Sequence, residues 1–205
     1  MKLQPSVQVC TVLLFIIGKS TLIQSSGLGR CPNYPSMPKF NITRFLGKWY
    51  EVERSFYLPE IASGCTTLTF ENTTRNNPED KFQLEIVVKT VNRWTGNPSV
   101  SICEAFTEND KSSIMSVQLK STLPSAIARF LPGSGQYQVL YTNFENFAIL
   151  WSCSSFLAVH TDQIWLLGRE RDYPAETRKK IYSALTQLSL DPERLFISKN
   201  DNCLI

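Results

Sequence analysis

Eight short stretches of β-forming residues follow one another from Trp49 to Arg169, and a single amphipathic helix comes after them. Phe82, Leu84, Ile86 and Val88 share one face against Gln83, Glu85 and Lys89, the period of two of a half-buried strand. Met115, Val117 and Leu119 alternate in the same way with Ser116, Gln118 and Lys120. Further strands are predicted around Trp49, Leu68, Tyr137, Leu150 and Trp165, and over residues 100–106, whose register is open. Asn76-Asn77-Pro78, Thr95-Gly96-Asn97-Pro98, Gly133-Ser134-Gly135 and Glu145-Asn146 supply turns between them. Strands joined by such short connections form an antiparallel meander. The fold class is therefore all-β: an eight-stranded antiparallel up-and-down barrel, closed because closure removes exposed sheet edges.

The helix begins near Asp172 and Pro174, with Glu176 suited to the positive end of its dipole. Ile181, Leu185 and Leu188 form one apolar stripe, and Leu190-Asp191-Pro192 ends it. One amphipathic helix cannot bury itself. It is predicted to pack outside the barrel.

Ahead of the strands, Lys2 precedes an apolar run over residues 7–17 and a small, polar stretch over residues 18–29. Residues 1–26 read as a secretory signal peptide, with cleavage between Ser20 and Arg30, leaving a single domain over 27–205. Arg30 before Cys31 argues against a bacterial lipoprotein box. Asp201-Asn202-Cys203-Leu204-Ile205 lacks the apolar tail of a glycolipid anchor. The sequons at Asn41 and Asn72 agree with a secreted, extracellular, freely soluble protein. The formal net charge is only +3, and Arg178-Lys179-Lys180 reads as the solvated side of the helix, so nucleic acid is not an expected partner. The one histidine, His160, is placed in a loop without a metal-ligating companion, and no metal or other cofactor is expected.

Three short motifs carry a resemblance. Gly47-Lys48-Trp49 opens the first strand, Thr142-Asn143-Phe144 sits at the corner between the sixth and seventh, and Arg169 closes the eighth. In this order the chain resembles the lipocalin family. Cys31-Pro32-Asn33, Trp151-Ser152-Cys153 and Pro174-Ala175-Glu176-Thr177 make it similar to the apolipoprotein D and Lazarillo branch. The corner departs from the family's Thr-Asp-Tyr pattern, losing a charge and a phenol. The resemblance implies disulfides Cys31–Cys153 and Cys65–Cys203, which leaves Cys103 as a free thiol once Cys10 has gone with the signal.

Strand parity develops this reading. Trp165 and Arg169 are four apart and share a face; in a closed barrel both point inward. Trp49 starts its strand at the end where Arg169 finishes, so Gly47, Trp49 and Arg169 form the closed-end plug, with the guanidinium stacked on the indole. Gly47 is expected to allow a close approach of chain. Terminal cysteines reach only the outer face, so with Cys65 and Cys153 outside, Leu68, Phe70 and Leu150 face inward. Leu84 and Ile86, Met115, Val117 and Leu119, and Tyr137 and Val139 complete the predicted ligand-binding lining with Trp165. Ser101, Ala148 and Ser152 are small enough to leave space among them. Such a lining carries no charge except Arg169 and suits a small hydrophobic ligand such as a lipid, sterol, retinoid or bilin.

The expected function is extracellular transport of that ligand by a monomer, without catalysis. Two other readings are a lipid isomerase using Cys103 as nucleophile and a receptor-binding barrel with a collapsed cavity. The apolar connections at the open end add a docking expectation. There Phe130, Leu131, Phe156 and Leu157 would meet a lipoprotein, a membrane surface or a receptor.

Overall fold

The strands close on themselves because the first and last of the predicted eight pair with each other. The computed structural model describes residues 26–56, 62–74, 82–120, 135–156, 159–201 and 203. The barrel strands are β2 (Gly47–Ser55), β3 (Ser63–Asn72), β4 (Phe82–Asn92), β5 (Pro98–Thr107), β6 (Ile114–Leu119), β7 (Gly135–Thr142), β8 (Phe147–Phe156) and β9 (Val159–Gly168). Each pairs antiparallel with the next, and β9 returns to β2 with Tyr50 opposite Gly168. Two short strands missed by the periodicity extend the sheet: β1 (Ser26–Leu28) on β9 and β10 (Leu195–Ile197) on β2. A four-residue helix, α1 (Ile42–Phe45), precedes β2, and α2 (Ala175–Gln187) follows β9.

Alternation sorts the side chains into two apolar layers. Inside the barrel, Trp49, Phe70, Met115, Leu150 and Trp165 belong to one buried cluster. Outside it, Ile149, Trp151, Ile164 and Leu166 form a second cluster with Ile181 and Leu185 of α2. The helix thus packs on the outer face of β8 and β9, as its apolar stripe requires. Pro174 is its N-cap, so the helix starts one residue after that proline.

Three irregularities interrupt the period of two among the described residues: one between Val139 and Tyr141 in β7, and two near the tail. Between Glu51 and Glu53 the β2–β9 register shifts, so Val52 joins the outer apolar layer and Glu53 meets α2. Arg178 Nη1 lies 2.8 Å from Glu53 Oε1, and Tyr182 donates to Glu53 Oε2 at 2.7 Å. Burial, followed by the charge of Glu53, pushes the nearby Tyr173 phenol above its ordinary pKa.

The second shift falls between Gly64 and Thr67 in β3, where Cys65 adopts φ +54°. Here the C-terminal tail lies against both strands. Ser198 N donates to Val52 O, and Cys65 N donates to Lys199 O, each at 2.9 Å. A Cβ on Gly64 would sit 2.9 Å from that Lys199 oxygen, so this approach requires glycine. The Cys65–Cys203 disulfide ties the tail down, and Cys31–Cys153 ties the segment before α1 to β8. His160 lies within β9, opposite Gly27 and Ser155, and not in a loop, because β8 and β9 stay paired as far as Phe156 and Val159.

Candidate functional site

The closed end is built from α1 and one arginine. Asn41 caps α1 by accepting from Arg44 N at 3.0 Å, which points Ile42 and Phe45 into the barrel, both fully buried. Phe45 stacks on Trp49 with ring centroids 5.0 Å apart, and Trp49 Nε1 donates to Phe45 O at 2.8 Å. The Arg169 guanidinium also lies over the indole, 3.7 Å from the ring centroid. Arg169 also donates to the carbonyls of Lys48 (2.9 Å), Leu46 (3.0 Å) and Phe144 (3.2 Å). Burial holds its pKa below the ordinary arginine value.

The structure therefore brings Gly47, Trp49 and Arg169 together and adds α1, whose four residues are too few to show a helical period. Gly47 is needed for its φ of +94°; a Cβ there would meet Arg169 Nη1 only at an ordinary 3.5 Å, so conformation and not crowding selects glycine. The Thr142-Asn143-Phe144 corner turns without the missing acid and phenol. Asn143 Oδ1 accepts from Asn146 N and Phe147 N, and Phe144 takes φ +68°. The Phe144 ring lies under Arg44, 4.5 Å from its guanidinium carbon.

Above this floor lies a cavity of about 250 Å³. Of the predicted lining, Leu68, Phe70, Ile86, Met115, Val117 and Leu119 face it. So do Tyr137, Leu150 and Trp165. Tyr137 and Trp165 stack with centroids 5.6 Å apart and an interplanar angle of 22°, making a flat aromatic wall. Leu84 and Val139 are fully buried in the same cluster but sit below the cavity, in the packing toward the closed end.

One expectation is corrected. The lining is not free of charge: Glu51, only 2% exposed, is part of it, together with Ser63, Thr66, Thr90 and Ser101. Glu51 Oε1 accepts from Ser198 Oγ at 2.6 Å and lies 3.6 Å from Arg54. Strict alternation would put Glu51 and Glu53 on one face; the bulge at Val52 separates them.

Cys103 also faces the cavity and is the free cysteine among the described residues. Burial raises its pKa, which keeps the thiol protonated near neutrality and argues against a nucleophile. Iodoacetamide should therefore modify Cys103 slowly at pH 7, faster as pH rises, and fully after unfolding. Labelling at the rate of a free thiol at pH 7 would contradict this burial. No group of three His, Cys, Asp or Glu suited to a metal occurs among the described residues. Asn41 and Asn72 are both exposed, with Asn72 accepting from Thr74 N. Phe130, Leu131 and Leu157 lie outside the described residues, and Phe156 ends β8 without a described side chain.

An eight-stranded barrel filled at one end and hollow at the other is the architecture of proteins that hold one small molecule inside a sheet. Residues 46–201 match the Lipocalin / cytosolic fatty-acid binding protein family, and the chain belongs to it. Apolipoprotein D of Oryctolagus cuniculus is 30% identical over 199 residues, covering 94% of this chain and 97% of that protein. The Lazarillo protein of Schistocerca americana is 26% identical over 164 residues, covering 78% and 70%. Among solved structures, insecticyanin from the tobacco hornworm Manduca sexta has a TM-score of 0.69 at 16% identity, over 86% of this chain and 89% of that one. Lobster apocrustacyanin A1 has a TM-score of 0.66 at 15% identity, over 87% and 92%. These two likenesses establish the fold.

Proposed function

We propose that this protein is a secreted carrier that takes a small hydrophobic molecule into its barrel and moves it through the extracellular fluid. The observation that supports this most is the cavity itself, apolar on most of its surface, bounded by an aromatic wall and stopped at one end by a rigid plug. Family membership points the same way. Secretion is supported by the apolar leader and by two disulfides, which persist in oxidising compartments. Ser26 pairs with Thr161 in the sheet, which favours cleavage before Ser26.

Trp165 is 8% exposed and faces the cavity, so its emission should report occupancy. In titrations with a sterol, a retinoid or a long-chain lipid, wild type should show quenching, and Trp165→Phe should lose most of it. Quenching of equal size in that variant would place the ligand against a different tryptophan. Absence of binding to every hydrophobic class would remove the carrier reading.

Docking at the open end belongs to the same proposal. The turn between β4 and β5 lies at that end, opposite Trp49, and carries Trp94 at 76% exposure. Exposed Phe196 and Ile197 lie on β10, beside the open-end half of β2. Flotation with neutral phosphatidylcholine liposomes should carry more wild type than Trp94→Ser. Equal partitioning, with ligand binding intact, would remove the docking step and leave the carrier standing.

A further inference from the structure

The outer face of the sheet is covered by α2 over β8 and β9, but on the far side of the barrel it carries apolar residues in water. Ile86 and Cys103 face the cavity, so Val87 and Ile102, which pair across β4 and β5, face outward. Nearer the open end the same face sets Lys89 opposite Val100 and Val91 opposite Pro98, and the strands then meet in the turn that holds Trp94. Val100 is 58% exposed. The tail extends this surface sideways. Ile197, 68% exposed, has the outward parity of Leu195, and Lys199 follows it where its carbonyl accepts from Cys65 N of β3. A Cβ on Gly64 would meet the Arg93 side chain at 3.1 Å and Lys199 O at 2.9 Å, so Arg93 and Lys199 are neighbours.

Charge divides this face into two halves. Toward the closed end stand the acids Glu71, Glu85 and Glu104, and Lys120 lies 3.5 Å from Glu85 and 3.7 Å from Glu104. Toward the open end stand Lys89, Arg93 and Lys199, all exposed and none in an ion pair with a described residue. Asp201 is the exposed acid that follows in the tail, which leaves the cations in excess.

We infer that the open-end half of this face docks on an anionic lipid surface, with Trp94 entering the interface and Lys89, Arg93 and Lys199 meeting the headgroups. The inference rests on the docking reading above and adds the charge the lipid must carry. Tryptophan seats at the boundary between headgroups and acyl chains, and basic side chains lay their stems on apolar surface while keeping the charge in water. Each basic residue near an anionic leaflet raises partitioning about fivefold. An acidic protein or polysaccharide would match the cations but leave Trp94, Val100 and Ile197 in water. The interleaving of apolar and basic groups favours lipid.

The test is flotation with vesicles of phosphatidylcholine alone and of phosphatidylcholine containing about 30% phosphatidylserine. In about 0.1 M salt, wild type should partition onto the anionic vesicles about tenfold or more above the neutral ones. Near 1 M salt, where the screening length falls to about 3 Å, the two should agree within about threefold. Lys89→Gln/Arg93→Gln should lose most of the excess on anionic vesicles and keep the binding to neutral ones. Lys179→Gln/Lys180→Gln removes the same net charge from the exposed side of α2, across the barrel, and should change neither. Equal flotation of wild type with both vesicles would overturn the anionic assignment and leave docking on neutral lipid standing. Equal losses in the two double variants would also overturn it, because net charge and not this face would then be responsible. Retention on heparin without flotation on either vesicle would overturn both readings and give the face to a polyanion. The wild-type comparison decides the question even where a variant fails to fold.

Discussion

Replacing Cys65 and Cys203 together with alanine should lower the stability of the domain by about 4 kcal/mol, read as a drop in the guanidinium midpoint. The bridge spans a sequence separation of 138 residues, and in the chain-entropy model closing so long a loop restrains the unfolded chain by about 5 kcal/mol. Losses on removing native bridges run at about 2–5 kcal/mol, a large part of the 5–15 kcal/mol that holds an ordinary domain together. The second bridge, Cys31–Cys153, spans 122 residues and should cost nearly as much.

The two bridges differ in what they hold. Cys203 anchors the tail whose Ser198 and Asn200 side chains contact Glu51, at the carboxylate and the backbone carbonyl respectively. Cys31 anchors an outer strap in which Tyr34 meets Trp151 edge-on, centroids 5.0 Å apart. Loss of the first bridge should therefore weaken ligand binding as well as stability, whereas loss of the second should leave binding intact in the folded protein. Equal midpoints for wild type and the Cys65/Cys203 variant would show that backbone pairing alone secures the tail. Equal effects of the two variants on binding would separate the tail from the cavity.

That tail marks the boundary of what the sequence displays. Strands of alternating residues announce themselves, and so does the inward direction of Trp165 and Arg169, because a period of two needs only a register and one fixed point. A β-bulge is different. It inserts one residue without a compositional sign: alternation from Trp49 already puts Glu51 inside, and the bulge at Val52 turns Glu53 outward to α2. The positive φ of Cys65 and the paired run of β10 depend on contacts about 140 residues apart in the chain, which no local pattern encodes. Ile42 and Phe45 fill the closed end from one short turn of helix, with Phe40 just ahead of its cap, below the length at which amphipathic spacing can be recognised. Hydrophobic identity alone also cannot separate a lining residue from a floor residue, as Leu84 and Val139 illustrate.

Arg169→Ala should cost about 3 kcal/mol, far more than an ordinary surface change. The guanidinium satisfies several carbonyls at once: Lys48 and Leu46 beside the start of β2, and Phe144 in the β7–β8 corner. Hydrogen bonds to a charged donor contribute about 1.5–3 kcal/mol each, and they are not additive. Stacking on the indole adds about 0.5–2 kcal/mol. Opposing them is the cost of burying the cation, visible in its lowered pKa. What remains is a net loss well below the gross sum.

Alanine would leave those carbonyls without their donor and open Trp49, now fully buried, to water. Its emission should shift to the red in parallel with the fall in midpoint. Arg169→Lys distinguishes charge from shape. A lysine carries the charge but has no planar fork to span carbonyls from two elements, so it should recover less than half of the loss. Full recovery by lysine would reduce the plug to a point charge. An Arg169→Ala midpoint within about 0.5 kcal/mol of wild type, with unshifted emission, would show that α1 and the Phe45–Trp49 stack close the barrel without the arginine.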